Sequence, residues 1–522
     1  MSEKSSRHGF RRRACVVTWL VAASLVGRLA WAQADDRSPV AEALKRAEAA
    51  VQRIVTVPDQ KRTFQNTVGA IDDLIVRLRL DTEMLQFMAY VSPDAEERER
   101  GQQAEEDVRN WLIGLQQRED LYRAVKAYAD RKPELEGERR RLLDHTLRDF
   151  RRAGMALPKA DRDRLKQLRT ELNKLSIQFE KNIREDETRV ALTQDELKGL
   201  ADDWLKTQPF TSGLYLVGMD YPSFLPVMDL CESETTRKKV WIAYKRRAGQ
   251  KNIQLLERIL KLRAEIAKLL GYRHPADFEI EIRMAKNADR VLEFYKKLRP
   301  LVRKKAQRDW QEFLDAKRRH TGDPKAKLYP WDQSFYEKRL LREKYAVDTE
   351  KVREYFPLNQ VLQGLFRITQ SLYGVTYRDI ASEAEDRGWR LWHPDVRLFE
   401  VTDQATGEVL GHFYLDLHPR PHKYTHAAQW GLYPRKVWPD GTVQKPLAAL
   451  VCNFTKPTAD KPALLSHDEV ETLFHEFGHL LHSLLTEATF GEFSGTATAR
   501  DFVEAPSQMF EEWVWNAETL KT

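Results

Sequence analysis

The sequence predicts a mainly α-helical protein of two lobes, with a small β-sheet next to one buried helix. From Pro39 to about Gly199, apolar residues recur at the spacing of packed helices. Between Gly388 and Phe454 the pattern changes to that of strands. The chain has 522 residues, which is too many for a single hydrophobic core, so at least two lobes are expected.

Residues 1–34 are predicted to be a cleavable signal peptide. Arg11–Arg13 belong to a basic start, Ala14–Gly27 is an apolar run, and Ala30-Trp31-Ala32 resembles a cleavage site. A membrane anchor is the alternative, but about fourteen apolar residues are too few to span a bilayer. We therefore expect export to a periplasm or out of the cell, with no stable membrane association after cleavage.

The composition of the remaining chain argues against a nucleic-acid partner and against a disulfide framework. The formal net charge is +7, but residues 1–34 hold six basic residues and one acidic residue. The rest carries 80 basic and 78 acidic residues, a formal charge of +2, and no sustained basic and aromatic patch. The remaining cysteines, Cys231 and Cys452, are expected to be buried thiols.

Residues 35–225 are predicted to form an N-terminal helical domain. The leucines at spacings of three and four within its last helix are typical of packing in a helix bundle. The span Lys206–Pro226 is richer in Pro, Gly, Ser and Tyr, with a short strand at Leu214–Val217, so we place the domain boundary there. The predicted helices are Val40–Val55, Phe64–Tyr90, Glu96–Ala129, Glu136–Gly154 and Lys159–Arg189.

Residues 226–522 are predicted to form a second domain that begins with helices and continues with strands. Arg397–Thr402 and Glu408–Leu417 are typical of a β-hairpin, and Pro446–Phe454 of a further strand. An edge strand of such a sheet can align an extended peptide, although the sequence does not say which strand is the edge. The predicted helices are Glu232–Ala248, Ile253–Leu270 and Ala288–Arg319.

One apolar helix after these strands contains an H-E-x-x-H pattern at His475–His479. Ser466 and Glu469 form a capping box, so the helix begins after Ser466. His475 and His479 are four residues apart on one face, which is the spacing of two ligands of one zinc ion. Glu476 projects about 100° round the helix and is predicted to be a general base. An H-E-x-x-H pattern also arises by chance, but buried polar groups on an apolar helix need partners.

A catalytic zinc needs a third protein ligand. His482 lies on roughly the same face, but three successive ligands along one straight helix cannot converge on a tetrahedral ion, so it is the less favoured alternative. Glu487 lies about 12 Å along the axis and is too far.

The favoured third ligand lies on a following helix. Asp501 is expected to be the N-cap of that helix, with Glu504 in its first turn among apolar neighbours, where a carboxylate needs a charge to meet. Glu511 and Glu512 are expected to be solvent-facing or supporting groups. We therefore predict one Zn²⁺ held by His475, His479 and Glu504.

This set of residues predicts peptide hydrolysis by an activated water molecule, without a covalent intermediate. The sequence contains no G-x-S-x-G pattern, and its cysteines lack a reactive context. His418, His422 and His426 lie on a loop nearby and are expected to make polar contacts instead of a second metal site. His426 is kept as a possible substrate contact.

Several segments resemble the thimet oligopeptidase, neurolysin and oligopeptidase A family of zinc peptidases. They include His475–His479, Pro446–Asp460 and Ser494–Met509. The resemblance is dense from about Trp392 to Trp515 and weaker back to about Ser38. In that family the two histidines and the Glu of the D-F-V-E-A-P segment bind zinc, and the Glu of H-E-F-G-H is the general base. The resemblance thus implies the same roles for the residues named above.

The resemblance also implies a two-lobed helical zincin of the gluzincin type. Such a protein is expected to be a monomer that admits short, unstructured peptides. Endopeptidase action is the first expectation, and removal of C-terminal dipeptides is the second. Family members continue with a Gly- and Tyr-rich loop whose His and Tyr side chains contact substrate, so the catalytic domain ending at Thr522 is expected to be C-terminally incomplete. An inactive zinc- and peptide-binding remnant is the third alternative.

Overall fold

The structure is a computed structural model that describes residues 39–458 and 461–521. The predicted signal peptide, residues 1–34, lies outside the described residues. Within the described ranges, none of the helices combines the length and the apolar character that a membrane crossing requires.

The first part of the chain is helical, as the periodicity predicts. Apolar faces of the first five helices meet in one core that includes Val51, Leu74, Val108 and Leu121, while Leu165 and Leu168 of the sixth pack with Leu262 and Ile266. Its α-helices are α1 (Pro39–Val55), α2 (Ala70–Val91), α3 (Ala95–Leu115), α4 (Glu119–Asp130), α5 (Gly137–Arg152) and α6 (Lys159–Arg184).

The single helix predicted for Glu96–Ala129 is wrong, because the structure has two helices there. Arg118 is extended, with φ −76° and ψ 116°. Its guanidinium forms ion pairs with Asp120 and Glu48. Acidic residues Glu119 and Asp120 lie in the first turn of α4, where they favour a new helix N-terminus.

The middle of the chain begins with a small antiparallel sheet in the order β1-β3-β2. The strand predicted at Leu214–Val217 is confirmed. Residue 225, the predicted domain boundary, falls within a helix, so the domain division stays a prediction. The elements are β1 (Val190–Leu192), α7 (Asp202–Thr207), β2 (Phe210–Thr211), β3 (Leu214–Val217), α8 (Tyr221–Leu230), α9 (Glu234–Lys245), α10 (Gly249–Leu269), α11 (Pro275–Ile280) and α12 (Ala288–Thr321).

The last part of the chain forms a five-stranded sheet with the strand order β4-β5-β6-β10-β7. The predicted hairpin is confirmed as the antiparallel pair β5 and β6, with Phe399 opposite Phe413. Its elements are α13 (Gln333–Tyr345), α14 (Thr349–Arg353), α15 (Leu358–Tyr373), β4 (Val375–Asp379), β5 (Arg397–Asp403), β6 (Val409–Asp416), β7 (Ala428–Tyr433), β8 (Lys436–Val437), β9 (Val443–Gln444), β10 (Leu447–Val451), α16 (His467–Leu484) and α17 (Glu504–Glu511).

Both faces of this sheet are buried. On one face Phe413 and Leu450 pack with Leu473 and Phe477 of α16. On the other face Tyr414 and its neighbours pack with side chains of α2, among them Phe87, Met88 and Val91. Because successive strand residues point to opposite faces, β6 and β10 supply both cores. The position of α16 is therefore fixed by its packing against β7 and β10 of the sheet.

Candidate metal centre

Two histidines of α16 and one glutamate of α17 converge on a single point. Nε2 of His475 lies 3.3 Å from Oε2 of Glu504, and Nε2 of His479 lies 3.0 Å from the same oxygen. One ligand atom from each residue lies within 4.8 Å of the others. Ligands about 2.1 Å from a tetrahedral metal ion are about 3.4 Å apart. The three residues therefore fit a metal ion in both donor type and spacing.

The start of α16 is fixed by the predicted capping box. The hydroxyl of Ser466 accepts from the backbone N–H of Glu469 at 3.1 Å, and the carboxylate of Glu469 accepts from the backbone N–H of Ser466 at 2.7 Å. With the helix begun there, His475 and His479 lie one turn apart, with ring centroids 4.9 Å apart.

Glu504 reaches these histidines because α17 packs closely on α16. Gly478 of α16 lies directly against the backbone of Ser507, which a larger residue would prevent. The hydroxyl of Ser507 donates to Oε2 of Glu504 at 3.0 Å and so orients the carboxylate. The close packing of α16 and α17 and this hydrogen bond together place the carboxylate of Glu504 beside the two histidines.

The protonation states of these groups suit metal binding. Burial raises the pKa of Glu504, but the Ser507 hydroxyl and the nearby imidazoles outweigh it, so the net pKa is below the ordinary value. Burial lowers the pKa of His479, which favours the neutral imidazole that a metal requires.

Two expectations about α17 are wrong. The helix begins at Glu504, and Asp501 does not cap it. Instead the carboxylate of Asp501 accepts from the backbone N–H of Ala285, 3.2 Å away, just before the start of α12. The surroundings of Glu504 are also not an apolar interior, since its side chain is 52% exposed and Phe502 is 48% exposed.

Glu511 has a more specific position than the sequence predicts. Its Oε1 lies 2.6 Å from Nδ1 of His475. A carboxylate at Nδ1 accepts that proton and leaves Nε2 free to bind a metal. Glu512 is exposed on the next position of the chain. Glu504 and Glu511 are seven residues apart, which places both on one face of a helix. This spacing could have predicted from the sequence that Glu511 also faces the histidines.

Glu476 is buried beside this group. Only 8% of its surface is exposed, and the backbone of Gln429 in β7 lies near its carboxylate. Burial raises the pKa of Glu476 to about 7, while the charge of His475 and the nearby backbone of Gln429 oppose the rise. A carboxyl group whose pKa lies near neutrality is suited to accepting and releasing a proton.

Within residues 39–458 and 461–521, the other histidines are not part of the group of three possible ligands. In the described part of the chain, His482 does not join them, and its Nδ1 is buried without a partner. His418 lies 3.1 Å from the carbonyl oxygen of Phe454. His426 lies 2.5 Å from the hydroxyl of Tyr221.

The chain is similar to known peptidases in sequence and in fold. The model of "Peptidase family M3" matches residues 227–522. A thimet-like oligopeptidase of Dictyostelium discoideum is 35% identical over 498 residues, which cover 92% of this chain and 73% of that protein. Oligopeptidase A of Escherichia coli (strain K12) is 33% identical over 502 residues, which cover 92% of this chain and 72% of the relative.

A solved structure described as an oligoendopeptidase F, from Bacillus anthracis str. Ames, has the same fold. Its TM-score is 0.52 at 14% sequence identity, and the match covers 92% of this chain and 71% of the other. The matching family and the relatives named oligopeptidases define an enzyme of the metallopeptidase class, and its mainly helical fold is of the zincin type. The chain belongs to peptidase family M3.

Proposed function

We propose that the protein is a zinc-dependent metalloendopeptidase that hydrolyses short oligopeptides. An oligopeptidase function accords with the family, whose relatives include proteins named oligopeptidases. The proposal of zinc and of an activated water rests on one observation, which is the convergence of His475, His479 and Glu504 beside the buried Glu476. Two imidazoles and one carboxylate form a common donor set of catalytic zinc and leave a fourth position open.

In this proposal the residues of the site have separate tasks. A zinc ion would lower the pKa of a water molecule and polarise the scissile carbonyl. Glu476 accepts the proton of the attacking water and delivers it to the leaving nitrogen. Glu511 keeps the proton of His475 on Nδ1.

The edge strand β7 is the place where a peptide substrate would bind. The sheet ends at β4 on one side and at β7 on the other, and α16 packs against β7. We propose that an extended peptide lies along the outer side of β7, where main-chain hydrogen bonds would align it without regard to its sequence. Such alignment suits short, unstructured peptides.

A second candidate function is the removal of C-terminal dipeptides. Arg500 lines the same cavity of about 310 Å³ as His479 and Glu504. A guanidinium at this place could bind the carboxylate at the end of a peptide. A peptide with a blocked C-terminus separates the two activities, because a dipeptidase cannot cleave it.

Export is part of the proposal. The basic start, the apolar run and the A-x-A-like site within residues 1–34 support a cleavable signal peptide. Fractionation of cells that express the tagged protein tests this proposal, which requires a shortened product outside the cytoplasm.

The test of the enzyme is zinc content together with peptide cleavage by the purified protein. We expect one zinc per chain and chelator-sensitive cleavage of an internally quenched, C-terminally blocked peptide. Cleavage that survives complete removal of metal would contradict the proposal. Cleavage of only unblocked peptides would favour the dipeptidase.

A further inference from the structure

A large cavity lies between α3, α5, α6, α10 and α11, away from the metal centre. Its volume is about 820 Å³, which falls within the range of roughly 300–1,000 Å³ typical of small-molecule sites. Part of its wall is apolar and includes Ile113, Leu172, Ile266 and Phe278. None of the residues that form the candidate metal centre line it.

Four arginines line this cavity, and two of them are already neutralised. Arg109 forms an ion pair with Glu105, and Arg152 forms one with Glu281. The guanidinium of Arg152 also lies over the ring of Phe278, 4.0 Å from its centroid.

The two acidic residues of the wall are engaged with arginines outside it. Asp149 lies 2.8 Å from Nε of Arg148, and Glu279 lies 3.5 Å from Nη2 of Arg283. Among the described residues, neither acid forms an ion pair with Arg169 or Arg263, although the charge of Glu279 still acts on Arg169.

Arg169 and Arg263 are the two arginines that remain. Across residues 39–458 and 461–521, neither has a carboxylate oxygen within 4.0 Å. Arg169 is half-buried and donates one hydrogen bond, 2.8 Å long, to the carbonyl oxygen of Arg152. Its other N–H groups are available. Burial and the charge of Arg152 lower the pKa of Arg169 to about 10, while the charge of Glu279 partly opposes the shift.

We propose that this cavity binds a small organic phosphate. A phosphate monoester carries a charge of about −1.5 to −2 at neutral pH, which matches the two unpaired guanidiniums of Arg169 and Arg263. Guanidinium groups bind phosphate oxygens with two parallel hydrogen bonds. The apolar part of the ligand packs on Leu172, Ile266 and Phe278.

The test uses the purified full-length protein with adenosine 5′-monophosphate as the probe. Titration calorimetry is expected to show saturable binding at one site. Adenosine, which lacks the phosphate, and inorganic phosphate, which lacks the apolar part, are each expected to bind at least about tenfold more weakly. Bound probe is also expected to raise the unfolding temperature.

Variants identify the binding site. Arg169→Gln and Arg263→Gln are each expected to weaken binding by about tenfold or more, because each removes a charged donor. Arg303→Gln, at an exposed position of α12, is the matched control and is expected to bind like the unaltered protein. Arg263 is exposed, so its variant keeps the test valid if loss of Arg169 disturbs folding.

Three results would overturn the proposal. They are the absence of saturable binding, equal affinity in all three variants, and binding of inorganic phosphate as tight as that of the nucleotide.

Discussion

The backbones of Gly478 and Ser507 touch, and this contact sets the distance between α16 and α17. A Cβ atom at position 478 would lie 2.8 Å from Cα of Ser507 and 3.3 Å from the carbonyl oxygen of Pro506. Main-chain atoms cannot move aside as the end of a flexible side chain can, so a Cβ atom at position 478 would push the two helices apart. Since α17 carries Glu504, the absence of a side chain at Gly478 is a condition for the three proposed ligands to meet.

Gly478→Ala is therefore expected to separate the two helices and to weaken metal binding. Overpacking of this kind costs about 1–3 kcal/mol of stability. Thermal unfolding and zinc titration of the variant measure both effects. Gly364→Ala in α15 is the control, because a Cβ there meets no atom within 4 Å and alanine is the better helix former. Unchanged zinc affinity in Gly478→Ala would contradict this account.

His479→Ala and Glu504→Ala are expected to lose bound zinc, since each removes one of three proposed ligands. Metal analysis after dialysis measures the loss. Glu487→Ala changes a carboxylate outside the site and is the control. The ligand assignment would be wrong if Glu504→Ala retained one zinc per chain.

Glu476→Gln is expected to keep zinc while losing hydrolysis. The amide cannot take the proton of water, and loss of a general base typically costs about 10²–10⁴-fold in rate. Zinc content and turnover of a quenched peptide are measured on the same sample. Normal turnover by this variant would refute the proposed mechanism.

Glu511→Gln is expected to weaken zinc binding without abolishing it. The carboxylate that orients His475 is lost, and such supporting groups typically contribute about 10–100-fold in metal affinity. Competition with a chelator measures the affinity. Glu512→Gln alters the exposed neighbour and serves as the control. Equal affinities in the two variants would show that the 2.6 Å contact of Glu511 is incidental.

Asp416→Asn tests the buried ion cluster at the end of β6. Asp416 is fully buried and pairs with Arg420 and Lys423 at 2.7 and 2.8 Å. Removing one partner of a buried pair costs about 3–5 kcal/mol, so the free energy of unfolding at pH 7 is expected to fall by that amount. Glu385→Gln, at an exposed position, is the control.

The same variant should change the response to acid. Burial raises the pKa of Asp416, but the charged hydrogen bonds from Arg420 and Lys423 lower it below the ordinary 3.8. A carboxyl group with a lowered pKa in the folded state stabilises above about pH 4, and this contribution disappears as the pH falls further. Urea unfolding between pH 7 and pH 2 should show a steeper loss for the unaltered protein. Parallel curves would exclude this role for Asp416.

The local features of the site could be predicted because neighbouring residues determine them. The capping box at Ser466 fixes where α16 begins, and helical spacing then places His475 and His479 on one face. The hairpin of β5 and β6 likewise follows from alternation and a turn. The roles of His475, Glu476, His479 and Glu504 on zinc stay predictions, which the variants above test.

Features that depend on distant parts of the chain could not be predicted. Asp501 has the composition of an N-cap, but its carboxylate contacts Ala285, 216 residues earlier. The strand β7 contains Gly431 and has no clear alternation, and its place in the sheet comes from pairing with β10. The break at Arg118 depends on Glu48 of α1 as well as on the adjacent Asp120.

The second face of the five-stranded sheet is closed by α2, whose Phe87, Met88 and Val91 join the core around Tyr414. The same helix supplies Asp72 to the buried ammonium group of Lys436, 364 residues further along the chain. During synthesis, α2 leaves the ribosome long before the strands that it covers. Its apolar face therefore has no packing partner until those strands have been made. A gene fragment that begins at residue 226 would expose this face of the sheet and leave Lys436 without Asp72. We therefore expect the two predicted domains to fold together and neither to be obtained alone by truncation.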